Sequence, residues 1–484
     1  MNATTIRAQL VTGLATLAVT VCVVALPAQA CVVGTGTSAT CTDSALDACL
    51  PGGGSFNGTV TFNCGVAPNT ITITTETISA DTTIDGGSTI TLSSSSGPAF
   101  YVTAHLTVQN LTITASAGDG IANHVGGTVT ATNCTISGNS GDGIANDSSS
   151  GTVTATNCTI SGNRGDGIGN NSDGGAVTAT NCTITGNAGD GIANNSTSGT
   201  VTATNCTISG NSVNGIVNDS SSGTVTATNC TVSSNGGGIG GGGIVNDSSS
   251  GTVTATNCTV SGNSGYGIAN NSTTAPLIAT NCTISGNSGD GIVDDSDKGT
   301  VTATNCMISG NGGYGILNNS STGSVAAITN TIIADNTSAN CGGPGTIADG
   351  GHNLQFPGTA CGSTITTADP KLDPAGLKNN GGPTDTIALQ AGSPAINAGN
   401  ESVCAAPPVD GLDQRGFVRP GLGATNCSIG AFEFNSSGLP QAVQQAPAFS
   451  PSGLFTLAAL LAATGWLKSR RAEMRKIAGL ALKL

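Results

Sequence analysis

The sequence predicts an all-β fold: a right-handed single-stranded parallel β-helix, or solenoid, of about eleven coils. Three observations carry this. A 24-residue unit recurs from Gly127 to Thr322, reading GTVTATNCTISGNSGDGIANDSSS and then GTVTATNCTISGNRGDGIGNNSDG in its first two copies. Its register is marked by Cys134, Cys158, Cys182, Cys206, Cys230, Cys258, Cys282 and Cys306, spaced by 24 residues except for one step of 28 across the glycine-rich run 236–243. Within each unit apolar residues alternate with the two-residue period of a strand, and no i, i+3, i+4 pattern suggests helices. Units of this length bury their apolar faces only against their neighbours.

Taken in order, residues 1–30 read as a signal peptide. Arg7 precedes an apolar run from Leu10 to Leu26, and Ala28-Gln29-Ala30 has the small-x-small form of a cleavage site. Acylation of Cys31 is the competing reading, although the residues before it lack the expected leucine and paired small residues. Residues 31–69 form a cysteine-rich cap holding Cys31, Cys41, Cys49 and Cys64; beyond the coils come Cys341, Cys361, Cys404 and Cys427. Even numbers at both ends of an exported chain predict disulfide-stapled terminal caps, which would also shield the edges of the outermost coils.

The β-helix itself is expected over 70–336, with less regular strand-like segments before the repeat. In the first unit Val129, Ala131, Cys134, Ile136 and Ile144 point inward, while Thr128, Thr130, Thr132 and Thr135 point out. Identical coils stack identical side chains. Asn133, Asn157, Asn181, Asn205, Asn229, Asn257, Asn281, Asn305 and Asn330 share one bend, and Asn139 with its equivalents shares another; stacked amides can hydrogen-bond along the axis. The eight repeat cysteines form a third file. A straight file cannot converge four thiolates on zinc, and a spacing of about 4.8 Å is wide for Cβ atoms of a disulfide, so they read as small buried hydrophobes.

Residues 337–434 form a C-terminal region, 435–453 a linker, and 454–484 a hydrophobic plus basic tail read as an anchor helix or sorting signal. Residues 454–467 carry no charge and are followed by Lys468, Arg470 and Arg471. That core is shorter than the roughly 20 residues of a stable span, and its basic flank is expected to stay cytoplasmic. Both retention in the membrane and removal by a sorting enzyme fit.

The flanks carry a family resemblance. CTDSALDACLPGGG from Cys41, VTFNC from Val60, TITITTETISADTTIDGG from Thr70 and LTVQNLTI from Leu106 resemble bacterial right-handed β-helix surface proteins of the pectin-lyase-like superfamily. Downstream, NTIIADN from Asn330, GHNL from Gly351, DPKLDP from Asp369, NGGPT from Asn380, GSPAINAG from Gly392, DQRGFVRP from Asp413 and CSIGAFEF from Cys427 together resemble a choice-of-anchor Q domain. That resemblance implies a surface protein with an anchoring tail and transfers no catalytic residue. AFSPSGL from Ala448 resembles the motif of Gram-negative C-terminal sorting signals but lacks their usual acidic residue.

Charge narrows the function. Without the signal and the tail from Lys468 onward, six basic residues face 26 acids. Such a field repels polyanions, and no nucleic-acid partner is expected. Catalysis on polysaccharides is suggested by fold analogy alone. The 24-residue coils offer only Arg164 and Lys298 as cations, and His105, His124 and His352 have no evident partners. The recurring acid of the Gly-Asp-Gly turn, at Asp119, Asp142, Asp166, Asp190 and Asp290, is replaced by Asn214, Tyr266 and Tyr314 in other coils, and copies of one turn do not make a differentiated acid–base pair. Asp142, Asp166 and Asp190 are nevertheless candidate metal ligands, for Ca²⁺, against the plainer reading of solvated turns. No other cofactor is expected.

The outward threonines are a candidate binding surface. Thr130, Thr154, Thr178, Thr202, Thr226, Thr254 and Thr302 fall in one file beside Thr132 and its equivalents, a lattice like that of ice-binding β-helices, interrupted at Pro276 and Ile278. Threonine also simply suits an exposed strand. The expected function is a non-catalytic, exported cell-surface protein, a structural stalk or an adhesin. Its expected partners are the membrane through the tail and an extracellular glycan or another cell surface; polysaccharide binding or cleavage and ice binding are the alternatives.

Overall fold

The computed structural model describes residues 30–237, 241–320 and 325–437, and it is a right-handed parallel β-solenoid. A twelve-stranded parallel sheet runs from Glu76–Ile78 through Phe100–Val102, Ile121–Asn123 and Ile144–Asn146 to Ala339–Gly342. A 26-stranded sheet holds two files, typified by Thr152–Thr156 and Thr159–Ser161. The files form one sheet because Thr82–Ser94 and His105–Thr114 run through the bend between them unbroken.

Twelve turns exceed the eleven expected, and pairing continues past both ends of 70–336. Cys31–Val33 pairs with Thr59–Phe62 upstream, and Thr346–Asp349, Leu354–Phe356 and Thr366–Thr367 extend the files downstream. Connections of unequal length hide the period there, whereas the repeat keeps it visible. The step of 28 residues leaves the register intact, with Ile216 opposite Ile244.

The inward set is the expected one: Val129, Ala131, Cys134, Ile136 and Ile144 are all buried. The bend asparagines adopt left-handed backbone, with φ of 54° at Asn133, Asn157 and Asn181, a conformation that asparagine tolerates better than other side chains. Their amides donate along the axis, Asn157 to Asn133 at 3.2 Å and Asn181 to Asn157 at 3.1 Å. The Asn139 file is buried and donates in the opposite direction, to Asn163 at 2.8 Å. A further file, not anticipated, runs through Asn123, Asn146, Asn170, Asn194, Asn218 and Asn246 with amide bonds of 2.7–3.1 Å. The second glycine of the acidic turn is required: a Cβ on Gly143 would fall 2.5 Å from Ile160 Cγ2 and 2.6 Å from the Gly167 carbonyl.

The repeat cysteines are buried and unbridged. Each thiol donates weakly to a carbonyl, as Cys158 does to Thr156 at 3.4 Å, and burial pushes the Cys258 and Cys282 thiols well up. The eight cysteines that flank the repeat form the disulfides Cys31–Cys49, Cys41–Cys64, Cys341–Cys361 and Cys404–Cys427, a pairing that spacing alone left open. With Cys31 bridged, no thiol remains there for acylation.

The Cys404–Cys427 staple does not cap the end of the helix. It belongs to a stretch that turns back along the side of the last coils. Thr384 donates to the Asn257 carbonyl at 3.0 Å, Asn281 to Leu412 at 3.0 Å, and Gly430 to Asn330 at 2.8 Å. Met307, Ile332, Leu354, Ile387, Leu389, Ile429 and Ala431 form a separate apolar core under this strap. Within it Asp413 accepts bonds from the Arg415 side chain (2.6 Å), while Arg419 pairs with Glu433 (3.4 Å), all four residues being buried. Arg415 also stacks between Phe417 and Phe432. The cations of the DQRGFVRP segment are therefore structural. The expected signal peptide, apart from Ala30, the linker from residue 438 onward and the 454–484 anchor lie outside the described residues. Among the described residues no helix is long and apolar enough to cross a membrane.

Candidate functional site

The Gly-Asp-Gly turns stack as the repeat requires, and each carboxylate has a backbone partner in the following coil. Asp119 Oδ1 accepts the Asp142 amide at 2.8 Å, Asp142 that of Asp166 at 2.7 Å, and Asp166 that of Asp190 at 2.7 Å. Asp190 accepts from Asn214 at 2.6 Å, and Asn214 continues the pattern to Gly242 at 2.8 Å. Burial, with the neighbouring Asp166 charge, pushes Asp142 up to about 7; burial also takes Asp190 up to about 6. Asp119, Asp166 and Asp290 are raised for the same first reason.

The candidate ligands Asp142, Asp166 and Asp190 thus form a line along the axis rather than a cage. Among the described residues, the three carboxylates whose oxygens do converge are Asp43, Asp47 and Glu76, all within 4.8 Å of one another at the N-terminal end. The sequence reading missed them. Burial, followed by the charges of Asp47 and Asp43, pushes Glu76 up to about 8.

The three histidines lie apart and have local partners. His105 shares a 2.6 Å hydrogen bond with Thr128, and His352 Nδ1 lies 2.8 Å from the Ala398 carbonyl. His124 is different. Its ring stacks on Tyr101 with centroids 4.4 Å apart, and its Nε2 is 3.5 Å from Asp147 Oδ2. Asp147 and His124 both act electrostatically on Asp119, the first carboxylate of the ladder. Here an acid, a base and a phenol share one half-buried surface. Tyr101 and His124 belong to residue types that are scarce in this chain, but their meeting with Asp147 depends on how the coils stack.

The threonine lattice is present in register, Thr130 opposite Thr154 and Thr132 opposite Thr156, through Thr226 and Thr228. Ile278 takes a place in the first file between Thr254 and Thr302, and Thr280 is buried. Arg164 and Lys298 are far apart in the stack: the Arg164 amide bonds to Asn139 and that of Lys298 to Thr273.

The family described as right handed beta helix region matches residues 48–177, 99–249 and 221–358. Among solved structures, the A-module of the Azotobacter vinelandii mannuronan C-5 epimerase AlgE4 is 12% identical, with 69% of this chain and 97% of that chain covered and a TM-score of 0.44. Pectate lyase Pel9A is 18% identical over 76% of this chain and 88% of that one, at 0.43. The periplasmic alginate epimerase AlgG is 8% identical over 60% and 76%, at 0.34. Likeness at this level concerns the winding of the chain and says nothing of its chemistry. No curated protein matches the sequence.

Proposed function

This chain belongs to the right-handed β-helix family, and from that premise we propose that it is a non-catalytic, exported cell-surface protein, a stalk or adhesin. Because the fold hosts unrelated activities, the reading rests on this chain's own residues. One observation carries it: the recurring acids, the most chemically able groups of the repeat, are spent on the stack itself, each Oδ1 holding the next turn's amide. Coils so alike extend length, whereas a site demands differences between neighbours. Four disulfides suit an oxidising compartment outside the cytoplasm. In this reading the strap carrying the DQRGFVRP segment is a choice-of-anchor Q domain, export uses residues 1–30, and 454–484 serves as anchor or sorting tail. Ca²⁺ on the ladder acids and ice on the threonine lattice are minor proposals, tested by loss of calcium-dependent melting in Asp166→Asn and by thermal hysteresis.

A second reading, a protein acting on polysaccharide, is favoured by the Tyr101–His124–Asp147 surface, where a base pairs with Asp147 within electrostatic reach of the ladder acid Asp119. One screen separates the two. The protein is presented with polyuronates and neutral glycans while product formation and retention are both followed. The stalk or adhesin reading expects no chain cleavage or epimerisation, with retention marking an adhesin. Product that disappears in His124→Ala or Tyr101→Phe would replace it with the second reading.

A further inference from the structure

The first coil, where it meets the N-terminal cap, contains an acid in a place where acids do not belong. In the twelve-stranded sheet Glu76 pairs with Phe100, Phe100 with Ile121, and Ile121 with Ile144, so Glu76 occupies the inward column that later coils fill with large apolar side chains. It is only 5% exposed, and its Oε1 has no hydrogen-bond partner. A buried carboxylate without compensation is strongly unfavourable.

Two more carboxylates are brought to it by the local sequence. Asp43 and Asp47 are four residues apart on the one-turn helix Asp43–Asp47, which Thr42 caps by accepting the Ala45 amide. The helix is fixed between the Cys41–Cys64 and Cys31–Cys49 disulfides and seats Leu46 in the core. Asp43 Oδ1 accepts the Thr74 amide at 3.2 Å, which ties the helix to the turn just before Glu76. Oxygens of all three carboxylates lie within 4.8 Å of one another. No lysine or arginine occurs between Arg7 and Arg164, and none of the ion pairs among the described residues involves these acids.

We propose that Asp43, Asp47 and Glu76 form a site for a hard divalent cation, Ca²⁺, that pins the cap helix onto the first coil. The donors are all oxygens, which favours Ca²⁺ over zinc, whose structural sites are built from cysteine sulfur and histidine nitrogen. The open pocket beside them, lined by Ser44, Ala48, Gly53 and Thr77, leaves room for the waters that complete a calcium shell. A cation here neutralises Glu76 and closes the exposed edge of the stack at the same time.

The test is calorimetric titration of the full chain with CaCl₂, joined to thermal melts in Ca²⁺ and in chelator, for wild type, Glu76→Gln and Asp47→Asn. Asp47 is exposed, so its replacement keeps the fold even if the buried variant does not. Asp166→Asn serves as control for the acid ladder. One equivalent of Ca²⁺ should bind wild type and Asp166→Asn, be lost in Glu76→Gln, and bind at least about tenfold more weakly to Asp47→Asn. Wild-type Tm should rise with Ca²⁺ and fall in chelator, while Glu76→Gln melts at the same temperature in both. Absence of binding at millimolar Ca²⁺, or binding unchanged in both Glu76→Gln and Asp47→Asn, overturns the proposal.

Discussion

The coils around Thr183 and those around Thr283 have nearly the same sequence and opposite surroundings. Thr159, Thr183 and Thr207 are exposed; Thr259 and Thr283, at the equivalent positions, are fully buried under the C-terminal strap. The amides of Asn157 to Asn229 bond to one another, yet those of Asn281 and Asn330 turn outward to Leu412 and Asn400. One repeat therefore serves two purposes. Left open, it is a uniform polar face that adds length; covered, the same hydroxyls and amides become the docking groups of the strap. Gln414 makes this plain, accepting from Thr283 at 2.6 Å and donating to Thr259 at 2.8 Å.

The contrast is broken most severely at the strap's buried charges. Arg419→Met leaves Glu433 buried and unpaired, with an expected cost of about 3–5 kcal/mol in urea unfolding. Hydrogen exchange should then rise at Thr259 and Thr283 and stay unchanged at Thr159 and Thr183. An equal rise at all four would mean that the strap and the open coils unfold as one unit.

A matched pair sharpens the comparison. Thr283→Val orphans Gln414 Oε1 and should cost about 1–3 kcal/mol, whereas Thr183→Val, on the open face, should cost under about 0.5 kcal/mol. Equal costs would show that the strap does not depend on this contact.

The acid ladder belongs to the open coils and supplies a pH signature. Because the folded-state pKa values are raised, to about 7 at Asp142 and about 6 at Asp190, the folded protein holds protons that the unfolded chain releases. This stability is fully present below the ordinary carboxylate range near 4 and is lost as pH rises through 6 to 7. Melting temperature should fall across that window, by about 1–2 kcal/mol of stability per carboxylate after solvent screening. Asp142→Asn, which keeps the amide-accepting oxygen as Asn214 does, should flatten its share of the slope. A slope unchanged in this variant would assign the titration elsewhere.

What was legible in the sequence follows the same division. The period, the inward set Val129, Ala131, Cys134, Ile136 and Ile144, and the bend at Asn133 could be read because each coil repeats its neighbour's environment. The strap could not, since Thr283 looks like Thr183 and its partner Gln414 lies 131 residues away. Glu76 was hidden for a related reason: it opens an ordinary strand-like segment, and only the register with Phe100 reveals that it faces the core. The Asn146 file was readable, as its spacing equals that of Asn133 and Asn139, and it was missed because the turn around it reads as polar and solvated. Asp142, Asp166 and Asp190 were correctly placed in one file, but their individual backbone partners depend on stacking geometry that spacing does not encode.

The central claim is that the open coils are interchangeable length. Removal of residues 151–198, two whole coils that carry Asp166 and Asp190, joins Ser150 to Gly199 without shifting the register. The shortened chain should unfold cooperatively with nearly the same Tm, keep any glycan retention of the full chain, and be shorter by about 10 Å in small-angle scattering. Loss of cooperative folding, or of a glycan retention or cleavage that the full chain possesses, would contradict the claim and place a specific site within those coils.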